Sequence, residues 1–138
     1  MSNKLDLHSQ FEYKIGLAPV VGGGNTLLTG LTIDTQGYDG VEFVISTGTL
    51  ADAAATWTPK LYEDTDSAMG TETEVTDTSH LYGVPAVFSQ ADDASVFSFG
   101  YRGAKRYLRV KIQPADNAGS DPISVLVVLR KKKVGSTL

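Results

Sequence analysis

The chain is 138 residues long, 41% hydrophobic and 20% charged, which supplies one self-sufficient core and argues against a disordered chain. Sixteen acidic residues against twelve basic ones leave a net charge of −4, a sign that repels phosphate backbones and speaks against nucleic acid as the main partner. The absence of cysteine excludes disulfides, thiolate metal sites and cysteine nucleophiles and fits a reducing compartment. No window reaches the roughly 18 apolar residues that cross a bilayer, so no membrane association is expected. The opening MSNKLDLHSQFEYK lacks the apolar segment of a secretory signal, and synthesis and use in the cytosol are expected.

Thirteen valines, fourteen threonines, six tyrosines and fourteen glycines favour pleated structure and turns over helices. In chain order, FEYKIGLAPVV at 11–21 alternates, with Phe11, Tyr13 and Ile15 opposite Glu12, Lys14 and Gly16, and Pro19 marks an edge or a bend. GGGN at 22–25 is a turn, and TLLTGLTI at 26–33 reads as a short strand interrupted at Gly30. The glycine-framed Gly37-Tyr38-Asp39-Gly40 then feeds a strand with Val41, Phe43 and Ile45 on one face, leaving Tyr38 and Asp39 at an exposed tip. Residues 50–55 are loop-like, and TWTPKLYED sets Trp57, Pro59 and Leu61 on one face with a proline that again suggests an edge. The acidic, Thr-rich run from Glu63 to His80 reads as an exposed, mobile excursion with one helical turn near Asp77 to Leu81.

Three cleaner strands follow. SVFSFGYRG aligns Phe97, Phe99 and Tyr101; AKRYLRVKIQP turns Leu108, Val110 and Ile112 inward and Lys105, Tyr107, Arg109 and Lys111 outward; PISVLVVLRKK is apolar on both faces, as a central strand is. Turn-length spacers between them predict an antiparallel meander. Seven to nine short strands without an ordinary helix predict a single all-β domain, an antiparallel β-sandwich of jelly-roll type over residues 11–130, between a flexible arm (1–10) and a basic tail (131–138).

Catalytic chemistry needs a nucleophile, base or metal in convergent geometry. His8 and His80 are the only histidines, and neither has a second histidine or a cysteine at ligand spacing. No G-x-S-x-G, Walker A or H-E-x-x-H sequence occurs, and GGGNT lacks the lysine of a phosphate loop. Asp64, Asp66, Glu72 and Glu74 cluster in the acidic run, where solvation is expected to keep them ionised and unshifted; DTDSAMGTETE departs from a calcium loop because alanine stands at a ligand position. No metal and no cofactor are therefore expected. The basic run Arg130 to Lys133 suits either a grip on phosphate or an acidic protein surface, or a strand end kept soluble and shielded from edge pairing. Cations interleaved with tyrosine at Arg102, Lys105, Arg106, Tyr107, Arg109 and Lys111 suit an interface.

D-x-Q-G-Y-D at 34–39, VEFVI, GTLADA with the following Trp57 strand, GYRGAKRYLRV at 100–110 and the closing ISVLVVL together resemble a family of small tailed-bacteriophage virion proteins, the head decoration (cement) proteins. The resemblance runs from about Thr32 to Leu129 and is weakest over Glu63 to Val84. It implies a non-enzymatic module on the capsid surface of the virion, made in the host cytoplasm. The implied partner is the major capsid protein, which such modules bind and reinforce, commonly as trimers. Tyr38, Asp39, Tyr101, Arg102, Tyr107, Arg109 and Lys111 are then the expected subunit or capsid contacts, with the N-terminal arm as a second docking element. Two other readings stay open: a carbohydrate-binding β-sandwich with Trp57, Tyr62 and Tyr82 as stacking platforms, and a neck or tail component.

Overall fold

A computed structural model describes residues 4–132. Its strands are β1 (Phe11–Gly22), β2 (Leu28–Thr29), β3 (Ile33–Asp34), β4 (Tyr38–Thr47), β5 (Thr56–Asp64), β6 (Thr73–Glu74), β7 (Leu81–Tyr82), β8 (Phe88–Ser89), β9 (Val96–Tyr101), β10 (Tyr107–Ala115) and β11 (Asp121–Lys131). They form two antiparallel sheets: β1-β11-β4-β9-β7, and β2-β10-β5-β6 with β3 added beside β10 and β8 beside β5. The architecture is the expected all-β sandwich. Eleven strands replace the expected seven to nine, because two-residue pieces carry too few side chains to show an alternation.

Alternation places the core. From the first sheet Phe43, Ile45, Phe99, Val125, Val127 and Leu129 point inward, and from the second Trp57, Leu61, Leu108, Val110 and Ile112 meet them, all at most 2% exposed. Phe43 stacks on Phe99 at 5.5 Å, and Phe88 stacks on Trp57 at 5.7 Å while tilting against Phe97 at 4.8 Å, which joins the two layers. β11 is apolar on both sides because it lies between β1 and β4. Pro59 sits on β5 between the stretches that pair β8 and β6, where its missing N–H faces no strand. Pro19 lies within the irregular half of the edge strand β1, where the register with β11 shifts twice.

Two expectations need correction, the meander and the start of the tail. β9, β10 and β11 are not a meander, since β10 belongs to the opposite sheet and both spacers cross the sandwich. Turn-length spacers suit either a hairpin or a crossing between sheets, so their length did not decide the path. On β1, Tyr13 and Ile15 form an outward face, 51% and 45% exposed, while Leu17 reaches the core. Lys131 ends β11 instead of opening a tail; residues 1–3 of the expected arm and 133–138 of the expected tail lie outside the described residues.

The interruption at Gly30 is where the sheets touch edge to edge. Gly30 N–H donates to Val110 O at 2.8 Å and Leu31 N–H to Gly16 O at 2.7 Å. A Cβ on Gly30 would stand 2.7 Å from Val110 O and collide with Gly16 O, so only glycine lets the chain pass.

Candidate functional site

A cavity of about 490 Å³ opens at one end of the sandwich, bordered by the starts of β1 and β4, the end of β11, Tyr82 of β7 and the 102–106 loop. Its shape follows from local chemistry. Tyr38 N–H donates to Thr35 O at 3.2 Å and Gly37 adopts φ +89°, the backbone of a turn that needs glycine at its third position. The glycine-framed turn is thus confined to 35–38. Tyr38, Asp39 and Gly40 already belong to β4, half-buried, and do not form an exposed tip. The register between β4 and β11 slips by one between Arg130 and Lys131, which leaves Asp39 as the extra residue of a bulge at the cavity that Arg130 also borders.

The 102–106 loop is anchored from both ends. Tyr101 is 6% exposed; its phenol donates to the Glu63 carboxylate and accepts from Lys105 N–H at 2.9 Å, and Gly103 folds onto its ring, where a Cβ would collide. Burial, and then the bond to Glu63, push the Tyr101 phenol above its ordinary range. Arg106 holds Asp34 through two 2.8 Å bonds while Thr35 N–H donates to Arg106 O at 3.0 Å; these guanidinium bonds lower the Asp34 carboxyl to about 2. Between these anchors Arg102 and Lys105 project from the rim, and the Arg102 guanidinium lies over the Tyr82 ring at 4.8 Å.

Beneath the rim, the Asp39 side chain is only 6% exposed, with Arg130 Nε 3.3 Å from its Oδ1. The approach is out of line, so neither Asp39 oxygen accepts a hydrogen bond. Tyr38 donates its hydroxyl to Glu12, and the Lys14 ammonium stands 5.6 Å from its ring. That bond to Glu12, with burial second, raises the Tyr38 phenol.

The seven expected contact residues fall in two places. Tyr38, Asp39, Tyr101 and Arg102 border the cavity, although Tyr101 is buried and serves as a prop, not a contact. Tyr107, Arg109 and Lys111 lie on the outer face of the other sheet, half-buried and already occupied. Glu72 takes a hydrogen bond from Arg109 at 2.8 Å and one from Lys111, Lys111 also covers the Tyr62 ring at 4.6 Å, and Lys60 pairs with Glu74 at 3.7 Å. The strand pattern gives the outward direction of these cations but not a counter-ion 37 residues away.

The acidic run is exposed along most of its length, as expected, but it is pinned to the sheet at Asp64, Met69, Glu72 and Val75. Asp64 is 4% exposed and accepts from Asp66 N–H at 3.0 Å, Thr71 N–H at 2.8 Å and the Thr71 hydroxyl at 2.9 Å. Burial raises the Asp64 carboxyl, but these donors outweigh it and the net displacement is downward. Glu72 follows the same pattern, burial opposed and exceeded by Lys111 and Arg109. Its carboxylates were expected to be unshifted; those of Asp64 and Glu72 are shifted, because they tie the loop to the sheet. The helical turn expected near Asp77 to Leu81 is a 3₁₀ turn, Thr78–His80, capped by the Asp77 side chain, which accepts from Ser79 N–H.

Trp57 cannot be a stacking platform: it is fully buried, with Nε1–H donating to Asp121 at 2.9 Å. Tyr62 has a cation over its ring, and Tyr82, 59% exposed, carries Arg102 on one side. Among the described residues no three His, Asp or Glu side chains are grouped to hold a metal ion, and no helix is long and apolar enough to cross a membrane. Lys105, Glu42, Arg130 and Phe11 complete the cavity and were missed as a group. Lys105 and Arg130 were each legible as surface cations, but what brings them together is the fold, and its one signal in the sequence is the small-residue spacing of GYRGAKRY, which allows the loop to fold over Tyr101.

No protein-family model matches the chain, and no curated protein matches it. Among solved structures, it is similar to the SPBc2 prophage-derived protein YomS, at 9% identity and a TM-score of 0.37 over 86% of this chain and 91% of that one. A family 29 carbohydrate-binding module gives 12% identity and 0.38, covering 87% and 89%. An adhesin domain of Lys-gingipain from Porphyromonas gingivalis gives 12% and 0.35, covering 88% and 73%. At these scores the likenesses carry no argument about function.

Proposed function

We propose that the chain is a non-enzymatic structural protein of a tailed-phage virion that binds the outside of the assembled capsid and stabilises it. One observation supports this reading above the others. Three separate stretches of the chain, D-x-Q-G-Y-D with the adjoining VEFVI, GYRGAKRYLRV and the end of ISVLVVL, all part of the resemblance to head decoration proteins, contribute Tyr38, Val41, Arg102 and Val128 to the border of one cavity. A decorating module works by binding: a cap that spans several capsid subunits adds buried surface that must be lost before they separate. Trimeric association would multiply the contact, since the second and third bonds form intramolecularly.

The test mixes purified protein with expanded, undecorated capsids of the same genome and follows co-sedimentation and heat resistance. Uptake with a higher disruption temperature is the expected outcome; shells that take up no protein overturn the reading. Light scattering during chromatography, alone and after release from shells, separates monomer from trimer. A carbohydrate-binding reading retains Tyr82, exposed at the cavity mouth, as its one available ring. A glycan array with the wild type and Tyr82→Ala tests it, and sugar binding lost in the variant without capsid uptake would favour it. Trp57 fluorescence would not report such binding, because the ring is enclosed.

A further inference from the structure

We infer that the end of the sandwich around Arg102, Lys105 and Arg130 is a docking surface for an acidic, partly apolar protein segment; on the proposed function, that segment belongs to the capsid. The 490 Å³ cavity is continuous in its lining with a second one of about 150 Å³ through Arg130, which borders both. Arg102 and Lys105 stand at the first, Lys131 and Lys132 at the second, and none of these four has a carboxylate within 4.0 Å among the described residues. Five cations therefore face two carboxylates, Asp39 and Glu42, on a chain whose net charge is −4. On the other sheet Lys60, Arg109 and Lys111 are neutralised by internal partners, as is Arg106 beside the rim, while among the described residues Lys4 and Lys14 are unpaired single cations outside this cluster. This surface keeps its positive charge for something outside the molecule.

The form of the site favours a peptide over a polyanion. Phe11, Val41 and Val128 wall the cavity, so apolar side chains enter while carboxylates meet the rim, the mix of apolar core and charged border usual for protein contacts. A long phosphate backbone would run from this end onto the acidic remainder and be repelled. The rim is preorganised: Tyr82 supports the Arg102 guanidinium, the bond from Lys105 N–H to Tyr101 fixes the loop, and Asp34 clamps Arg106 beside it. Buried Asp39 accepts no hydrogen bond and lies 3.3 Å from Arg130 Nε. It holds the Arg130 stem while leaving the outer nitrogens to a ligand, since a guanidinium has five N–H donors.

The probe is a fluorescein-labelled peptide alternating glutamate and leucine, with a glutamine and leucine peptide as control, followed by anisotropy. Wild type is expected to bind the glutamate peptide alone and to lose at least tenfold in affinity between low and moderate NaCl. The double variant Arg102→Gln, Lys105→Gln, both positions exposed and outside the core, is expected to bind about tenfold more weakly with an unchanged melting temperature. Lys60→Gln, on the opposite sheet, should bind as wild type does. Equal binding of both peptides, undiminished binding by the double variant, or binding of heparin fragments without peptide would overturn the inference. The same variants in the capsid assay separate the two proposals. Uptake unaffected by the double substitution removes this surface and leaves the function; peptide binding without capsid uptake removes the function and leaves the surface.

Discussion

At the residue scale, Tyr101 and Trp57 do the same kind of work, each passing a polar bond through an otherwise apolar layer. Tyr101 links β9 to Glu63 of the facing sheet and supports the loop that carries Arg102 and Lys105. Its phenol is favoured in the protonated form when folded, so the stability it confers is complete below about pH 10, its ordinary value, and is lost as pH rises toward the elevated folded value. Tyr101→Phe should remove that alkaline loss and cost about 1–2 kcal/mol at neutral pH, because Glu63 loses its donor. Urea titrations of both proteins at pH 7 and pH 11 check both parts. Trp57→Phe keeps a ring in the core but strands Asp121, 1% exposed, whose Oδ1 already lacks a partner. A loss of about 2–3 kcal/mol in urea is expected, and Trp57→Phe, Asp121→Asn should recover part of it.

At the element scale, the long strands were legible in the sequence because one face of each is buried. Alternation in β4 and β10 assigned Phe43 and Val110 to the interior, alternation in β5 grouped Trp57 with Leu61 without saying which way they face, and β11 announced its central place by being apolar on both sides. What alternation does not contain is the sheet each strand joins, and β9, β10 and β11 look alike whether they neighbour in one sheet or cross the sandwich. The contacts made by short segments were equally hidden. Arg109 and Lys111 resembled an open interface because Glu72 reaches them from a stretch too polar and irregular to read as structure, although β6 within it pairs with β5. Glu72→Gln should therefore act on an element as well as on a pair, leaving two half-buried cations without a counter-charge and releasing the 65–75 segment. A loss of about 1–3 kcal/mol, together with faster amide exchange at Thr71 to Val75 than in wild type, is the expected result; unchanged exchange there would show that Asp64 alone holds the segment.

At the scale of the whole molecule, charge is divided by function. The flank formed by the second sheet is internally neutralised and serves stability, whereas the end around Arg130 keeps uncompensated cations. The two should therefore answer differently to conditions. Asp34, Asp64 and Glu72 have carboxyls depressed below their ordinary values of 3.8, 3.8 and 4.5, Asp34 to about 2. A depressed folded value means that the unfolded chain takes up protons first as pH falls, so the stability from these groups is fully present above about pH 5 and is lost through the folded values, toward pH 2. The urea midpoint should hold from pH 7 to pH 5 and then drop steadily to pH 2.5. In Glu72→Gln the drop should be shallower, since one of the depressed carboxyls is absent. Salt should act in the opposite place: about 0.5 M NaCl screens the exposed end and suppresses association there, while the neutral-pH midpoint changes little because the Arg109 and Lys111 pairs with Glu72 are largely withdrawn from solvent. If salt instead lowered the midpoint as steeply as acid does, the pairs on the second sheet would be solvent-screened contacts, and the separation of a stabilising flank from a binding end would fail.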